Sequence, residues 1–212
     1  MTRFIVLRHG QSVGNTAQVF NGNVDMPLSE LGRKQAELTA ELLRNESIDL
    51  AFASTLSRAF DTAVAVAKLH GIAVTPDPAF CEIDGGEWEG HPYAEAEKTH
   101  PEAWALWYHD PAKCRCPGGE SLIELRDRVK AEFDRLACEY PEKTILIGTH
   151  ATPVRVMTSV WNYVPFEKLG EVQWVPNASV TIVDYLDNGD YRVEVSGKCD
   201  HLGELVTKLP KI

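Results

Sequence analysis

Three short, largely apolar runs, each ending in polar residues, constrain this chain most: Phe4–Leu7 before Arg8-His9-Gly10, Asp49–Ala53 before Ser54-Thr55-Leu56-Ser57-Arg58, and Thr144–Gly148 before Thr149-His150. Such runs read as strands buried on both faces, which occur in parallel sheets flanked by helices. Helical stretches stand between them. Ser29 is an N-cap for a helix reaching about Asn45, with Leu31, Leu38, Leu42 and Leu43 on one side. Leu56 to His70 carries Phe60, Ala63, Val64 and Ala67 at helical spacing, with Gly71 as its stop. Ser121-x-x-Glu124 is a capping box opening a long helix to about Tyr140, and Thr152 to Tyr163 is another helical stretch. Ala73 to Phe80 holds short extended pieces broken by prolines. Near the end, Ala178–Tyr185 and Tyr191–Ser196 flank Asp187-Asn188-Gly189-Asp190, a strong hairpin signal. The pattern predicts one α/β domain over 1–212, a largely parallel sheet covered on both faces with an antiparallel hairpin at one edge. Residues 82–119, irregular and rich in Gly, Pro and Trp with a short helix after Pro101, form a cap or lid.

Charge narrows the partners. Acidic residues number 31 against 21 basic, a formal net charge of −10, so the far field repels nucleic acid and anionic membrane. A small anionic substrate is compatible only if positive charge is concentrated locally. Apolar runs are too short for a membrane span, and the apolar start is too short for a signal peptide. Five scattered cysteines cannot make a complete disulfide framework, and we expect a cytoplasmic protein. Asn45-Glu46-Ser47 and Asn177-Ala178-Ser179 then fit the glycosylation pattern by chance.

Ligands of open α/β sheets bind beyond the carboxyl ends of the strands. Arg8, His9, Arg58 and His150 all fall at such ends, and their convergence suits a phosphoryl group. Guanidinium forks match phosphate oxygens, and a neutral imidazole can attack phosphorus to give a phosphohistidine. Nearby arginines oppose protonation of His9, keeping it nucleophilic, and Gly10 would let backbone approach the group closely. Glu82, where the chain turns from extended to loop, is the candidate acid. Three other readings compete. Gly10-Gln11-Ser12-Val13-Gly14 also fits a nucleophile elbow with Ser12 as nucleophile. Seven histidines and Cys114-Arg115-Cys116 raise a metal site, although none has zinc-ribbon or His-Glu-x-x-His spacing. A phosphate-binding module without turnover is the third. Cys81 beside Glu82 suggests sensitivity to oxidants.

The residues also carry a resemblance. Leu7-Arg8-His9-Gly10-Gln11-Ser12-x-x-Asn15 resembles the signature of the histidine phosphatase superfamily, the phosphoglycerate-mutase-like proteins. Further blocks follow in the same order: Asp25-x-Pro27-Leu28-Ser29-x-x-Gly32-x-x-Gln35-Ala36, then Ser54-x-Leu56-x-Arg58-Ala59-x-x-Thr62-Ala63, and Glu82-x-x-x-Gly86-x-Trp88-Glu89-Gly90. Gly118-Gly119-Glu120-Ser121 with Arg128, and Thr149-His150, complete the series. The resemblance implies a three-layer α/β/α sandwich around a mixed, mostly parallel six-stranded sheet with one antiparallel strand. It implies His9 as phosphoryl acceptor, with Arg8, Asn15, Arg58 and His150 around the phosphate. Glu82 would be proton donor and then base, with no metal or organic cofactor. Small glycines usually follow the second histidine in this family, whereas Ala151-Thr152-Pro153 stands here.

Phosphatase and cofactor-dependent mutase are the alternatives within the family. Between Gly90 and Gly118 only Lys98, Lys113 and Arg115 are basic, too few to meet a second phosphate, so we expect a phosphatase resembling the α-ribazole and broad-specificity branch. The substrate would be a small phosphomonoester, and the chain a monomer or homodimer. Trp88, Trp104, Trp107 and Tyr108 form either an aromatic wall for the leaving group or the core of the cap.

Overall fold

A computed structural model of the chain describes residues 1–207. Its strands are β1 (Thr2–Arg8), β2 (Leu50–Ala53), β3 (Val74–Pro76), β4 (Thr144–Thr149), β5 (Val180–Tyr185) and β6 (Tyr191–Lys198). They form a six-stranded sheet in the order β3-β2-β4-β1-β5-β6, in which β5 alone runs antiparallel to its neighbours. The hairpin is β5–β6, turning through Asn188-Gly189 with Gly189 at φ +85°.

The helices are α1 (Val13–Ala17), α2 (Glu30–Leu42), α3 (Ser57–Leu69), α4 (Tyr93–Thr99), α5 (Pro101–His109), α6 (Leu122–Glu139) and α7 (Ala151–Trp161). Strand side chains alternate between the two faces. Phe4, Val6, Ile145 and Ile147 join Phe133 and Leu136 of α6 and Val154 and Trp161 of α7. Ile5, Leu7 and Leu146 join Ala40 of α2 and Ala63, Val66 and Ala67 of α3. Three layers result, as expected. Among the described residues no helix is long and apolar enough to cross a membrane.

Two expectations about helix faces hold only in part: Leu43, at the end of α2, and Ala63 and Ala67 of α3 are buried, but others are not. Leu38 of α2 and Val64 of α3 are exposed, and Leu31 is only half-buried. The buried faces are instead made of small residues: Gly32, Gln35, Ala36, Thr39 and Ala40 on α2, Ala59, Thr62, Ala63, Val66 and Ala67 on α3. Small side chains let these helices lie close to each other and to the sheet. Gly148 marks the same closeness, since a Cβ there would stand 2.8 Å from the Ala59 carbonyl oxygen. Helices α1 and α4 add to the helices predicted from the sequence: α1 is five residues long, and α4 lacks a clear apolar period. Within 82–119, single 3₁₀ turns at 86–88 and 111–113 accompany α4 and α5.

Candidate active site

Register brings the strand ends together. Arg8 of β1 lies opposite Thr149 of β4, and Ala53 of β2 lies opposite Gly148. The next residues, His9, His150 and Ser54, are thereby neighbours, with His9 N donating to Thr149 O at 2.9 Å and Ser54 N to Gly148 O at 2.9 Å. A cleft opens over this edge, and Arg8, His9, Asn15, Arg58 and Glu82 all line it. His150 is fully buried just behind His9, with ring centroids 5.1 Å apart.

Local bonds fix the chemistry of His9. Its Nδ1 lies 2.6 Å from the Gly10 carbonyl oxygen, which can only accept, so the proton sits on Nδ1 and the lone pair of the neutral ring is on Nε2. Burial, followed by the charges of Arg58 and Arg8, holds the ring well below the ordinary histidine pKa. His150 is depressed in the same sense, first by burial and then by Arg58. Its Nε2 lies 2.8 Å from Ser54 Oγ, while its buried Nδ1 has no partner among the described residues.

The two arginines bond only to carbonyl oxygens. Arg8 donates to Val175 O at 2.5 Å, and Arg58 to Val24 O at 2.8 Å and Gly22 O at 2.7 Å. Both are buried, each Nε is unpartnered, and neither forms a salt bridge among the described residues, whereas Arg3 and Arg128 pair with Asp184 and Glu120. Burial pulls Arg8 down only to about 10, so it remains charged at neutral pH. Two buried cations without a salt-bridge partner, facing the single carboxylate of Glu82 across the cleft, make a local anion site in a chain of net charge −10.

Asn15 adds a donor. Its Oδ1 accepts from Ser12 N at 3.0 Å and from Asn177 Nδ2 at 3.2 Å, which leaves its Nδ2 for the cleft. Glu82 is held by α7, with Oε2 accepting from Thr152 N at 3.4 Å and Oε1 from its own neighbour Ile83 N at 2.9 Å. The unusual Ala151-Thr152-Pro153 is therefore accommodated: Pro153 is in the first turn, where an N–H has no intrahelical partner. Arg128 braces the segment behind Glu82. Its guanidinium donates to the carbonyls of Ala79 (2.8 Å), Cys81 (3.0 Å) and Glu82 (2.9 Å) and pairs with Glu120 at 2.7 Å.

Several sequence readings change. Gly10 serves packing, not ligand approach: a Cβ there would meet the Gly32 carbonyl oxygen of α2 at 2.5 Å. Ser12 is fully buried and caps α1, accepting from Asn15 N and from Asn21 Nδ2, each at 3.2 Å, so it is no elbow nucleophile. Among the described residues no group of three or more His, Cys, Asp or Glu could hold a metal, and burial raises the Cys114 thiol to about 12. Cys81 is half-buried, its Sγ 3.3 Å from Ser54 Oγ. Asn177 was noticed only as a sequon, yet it is 2% exposed and donates to His9 O at 3.1 Å. Its position before the reversed strand β5, whose start lies at the carboxyl edge of the parallel strands, was the available signal. The cap aromatics divide: Trp88 and Trp104 pack together in the core at 5.2 Å, while Trp107 and Tyr108 line the cleft with Phe20, Tyr93 and the unforeseen Trp174.

Known proteins resemble this chain in sequence and fold. Phosphoserine phosphatase 1 of Hydrogenobacter thermophilus is 30% identical over 211 residues, covering 100% of this chain and 99% of the relative. The structure of Bacillus stearothermophilus YhfR superposes with a TM-score of 0.91 at 26% identity, covering 95% of this chain and 100% of that one. The α-ribazole phosphatase of Shigella flexneri, at 24% identity, shares the fold with a TM-score of 0.83 over 92% of this chain and 96% of its own. Residues 4–196 match the histidine phosphatase superfamily (branch 1), and the chain belongs to that superfamily.

Proposed function

We propose that this chain is a phosphoric monoester hydrolase in which His9 is the nucleophile and Glu82 the proton carrier, acting on small phosphorylated metabolites. Membership of the superfamily, with a full-length relative named as a phosphatase, supports the activity. The residue roles rest on one observation: a neutral His9 with its lone pair on Nε2 sits between two buried guanidiniums that form no salt bridge among the described residues and have Glu82 as their main charge partner.

The phosphoryl group binds with its oxygens toward Arg8, Arg58 and the Asn15 amide. Nε2 of His9 attacks phosphorus, the P–N bond forms as the P–O bond to the leaving group breaks, and protonated Glu82 donates its proton to the departing oxygen. The Glu82 carboxylate then takes a proton from water, the resulting hydroxide attacks phosphorus, and the P–N bond breaks to return His9 and release phosphate. When the Ser54 hydroxyl turns from Cys81 Sγ to donate to His150 Nε2, the His150 proton sits on Nδ1, the nitrogen without a partner, which can then donate to a phosphoryl oxygen. Arg8, Arg58 and His150 are charged or polarised before substrate arrives, so they stabilise transferred charge without reorganising.

We take 82–119 as a cap of the single domain, and the unpaired state of all five cysteines supports a reducing, cytoplasmic setting. Phosphate release by the intact protein, with chelator present and His9→Ala as control, tests the assignment. Release that survives chelator and disappears in His9→Ala is the expected result. Isomerisation of 3-phosphoglycerate without net release would replace the hydrolase with a mutase.

A further inference from the structure

We infer that the leaving group is uncharged and ring-bearing, so that the preferred substrate is the phosphate ester of a flat aromatic alcohol or phenol. This rests on the phosphatase reading above and narrows it. Among the described residues lining the cleft, only Arg8 and Arg58 are cationic, and only Glu82 is anionic. Both arginines flank His9 and are taken up by the phosphoryl group. A carboxylate or second phosphate on the leaving group would lose its water with no further cation among the described lining residues to meet it, close to the carboxyl of Glu82 and inside a chain of net charge −10. Phosphorylated hydroxy acids and amino acids are disfavoured for that reason.

The wall offers aromatic surface in place of charge. Phe20, Tyr93, Trp107, Tyr108 and Trp174 line it. The Trp174 ring is fixed from behind by the Arg155 guanidinium, 4.3 Å from its centroid, and lies 6.2 Å from Trp107 at an interplanar angle of 32°. Arg155 itself does not reach the cleft: it is buried and donates to the carbonyls of Val172, Leu169 and Gly170. Trp107 is held against Phe20 at 5.3 Å and Trp88 at 5.9 Å. Rings locked in this way are pre-organised to receive a flat group, which lowers the ordering cost of binding it.

Matched esters test this, chosen so that leaving-group acidity changes little within a pair. The intact protein should hydrolyse phenyl phosphate with a kcat/KM about tenfold or more above that for 4-carboxyphenyl phosphate, and 2-phenylethyl phosphate at least about tenfold above 3-phosphoglycerate, mostly through KM. In Trp174→Ala the ratio of kcat/KM for 2-phenylethyl over ethyl phosphate should fall about tenfold, a ratio from which any loss of folded enzyme cancels. Equal or better turnover of the carboxylate-bearing partners, or an unchanged ratio in Trp174→Ala, would overturn the leaving-group assignment and leave the phosphatase standing. No hydrolysis of any ester would sink the phosphatase reading itself.

Discussion

Arg58 and Arg128 are both partly or fully buried arginines that donate to backbone carbonyls, yet only Arg128 has a carboxylate partner. Arg58, at the floor of the cleft, bonds to Gly22 O and Val24 O and is 0% exposed. Arg128, behind the cap, bonds to three carbonyls and pairs with Glu120. Carbonyls satisfy donors without cancelling charge. Arg58 therefore keeps a net positive field for an anion, and Arg128 keeps a chain segment in place. The same residue type does electrostatic work in one region and structural work in the other.

The largest effect expected is at the floor. His9→Ala should lower kcat by about 10⁴-fold or more, because no other group replaces the attacking nitrogen. Its folded stability should be unchanged or higher, since a desolvated imidazole is removed. A large loss of stability together with the activity would mean that His9 is a structural residue, and the contrast between floor and clamp would collapse.

Paired substitutions of the two arginines sharpen the comparison. Arg58→Met should cost about 10³-fold in kcat/KM, the size seen when one transition-state donor is lost, with a melting temperature close to the parent's in phosphate-free buffer. Inorganic phosphate at about 100 times its Kd should stabilise the parent by about 2.7 kcal/mol and leave Arg58→Met unmoved. Arg128→Met should instead lower the melting temperature by about 4–8 °C, from a loss of about 2 kcal/mol as Glu120 and three carbonyls lose their partner. Thermal melts with and without phosphate separate the two behaviours. A phosphate-responsive Arg58→Met, or an undisturbed Arg128→Met, would break the distinction.

Arg128 also has a smaller, chemical consequence. It grips the carbonyls of Cys81 and Glu82, so the milder Arg128→Lys should displace the proton donor. Alkyl phosphates, whose leaving groups need that proton, should lose about tenfold in kcat/KM, and an aryl phosphate with a good leaving group less than about threefold. Equal losses on both ester types would leave Arg128 a purely structural residue.

Most of the floor was legible in the sequence because parallel strands place their carboxyl ends at one edge whatever the details of packing. Arg8, His9, Arg58 and His150 follow from that rule and from local strand signals alone. Other features depend on contacts distant in sequence. Asn177 and Trp174 reach the cleft because β5 is reversed; the hairpin signal announces an antiparallel pair but not which of its strands runs against the sheet. The face buried by α2 differs in part from the leucine pattern, because Ala40 joins Leu43 against α3 and the sheet while Gly32 approaches the Gln11 backbone and Leu38 is exposed. The cap tryptophans look alike in sequence, and only the packing of Phe20 between Trp88 and Trp107 decides which ring faces the cleft. The strand-end rule does not give the orientation of His150, whose ring stands just behind His9 with Nε2 against Ser54 and Nδ1 without a partner among the described residues.

The gentlest probe of the floor is pH. Burial and the guanidinium charges depress His9 and His150 from the ordinary value of 6.5, so both rings are neutral in the folded protein when the unfolded chain begins to protonate. The unfolded state then binds more protons than the folded one, and stability rises with pH. The contribution is complete above about 6.5 and is lost as pH falls from there toward the depressed folded values. Each ring should weaken the folding equilibrium by about tenfold per pH unit in that window. His201 is also depressed, by burial, and adds to the slope, so the informative quantity is a difference between proteins. Urea unfolding of parent and His9→Gln between pH 6.5 and 5.5, in phosphate-free buffer, should show the slope of the variant reduced by that tenfold per unit. Identical slopes would mean that folded His9 takes up a proton as readily as the unfolded chain does, which a buried ring beside two arginines should not do.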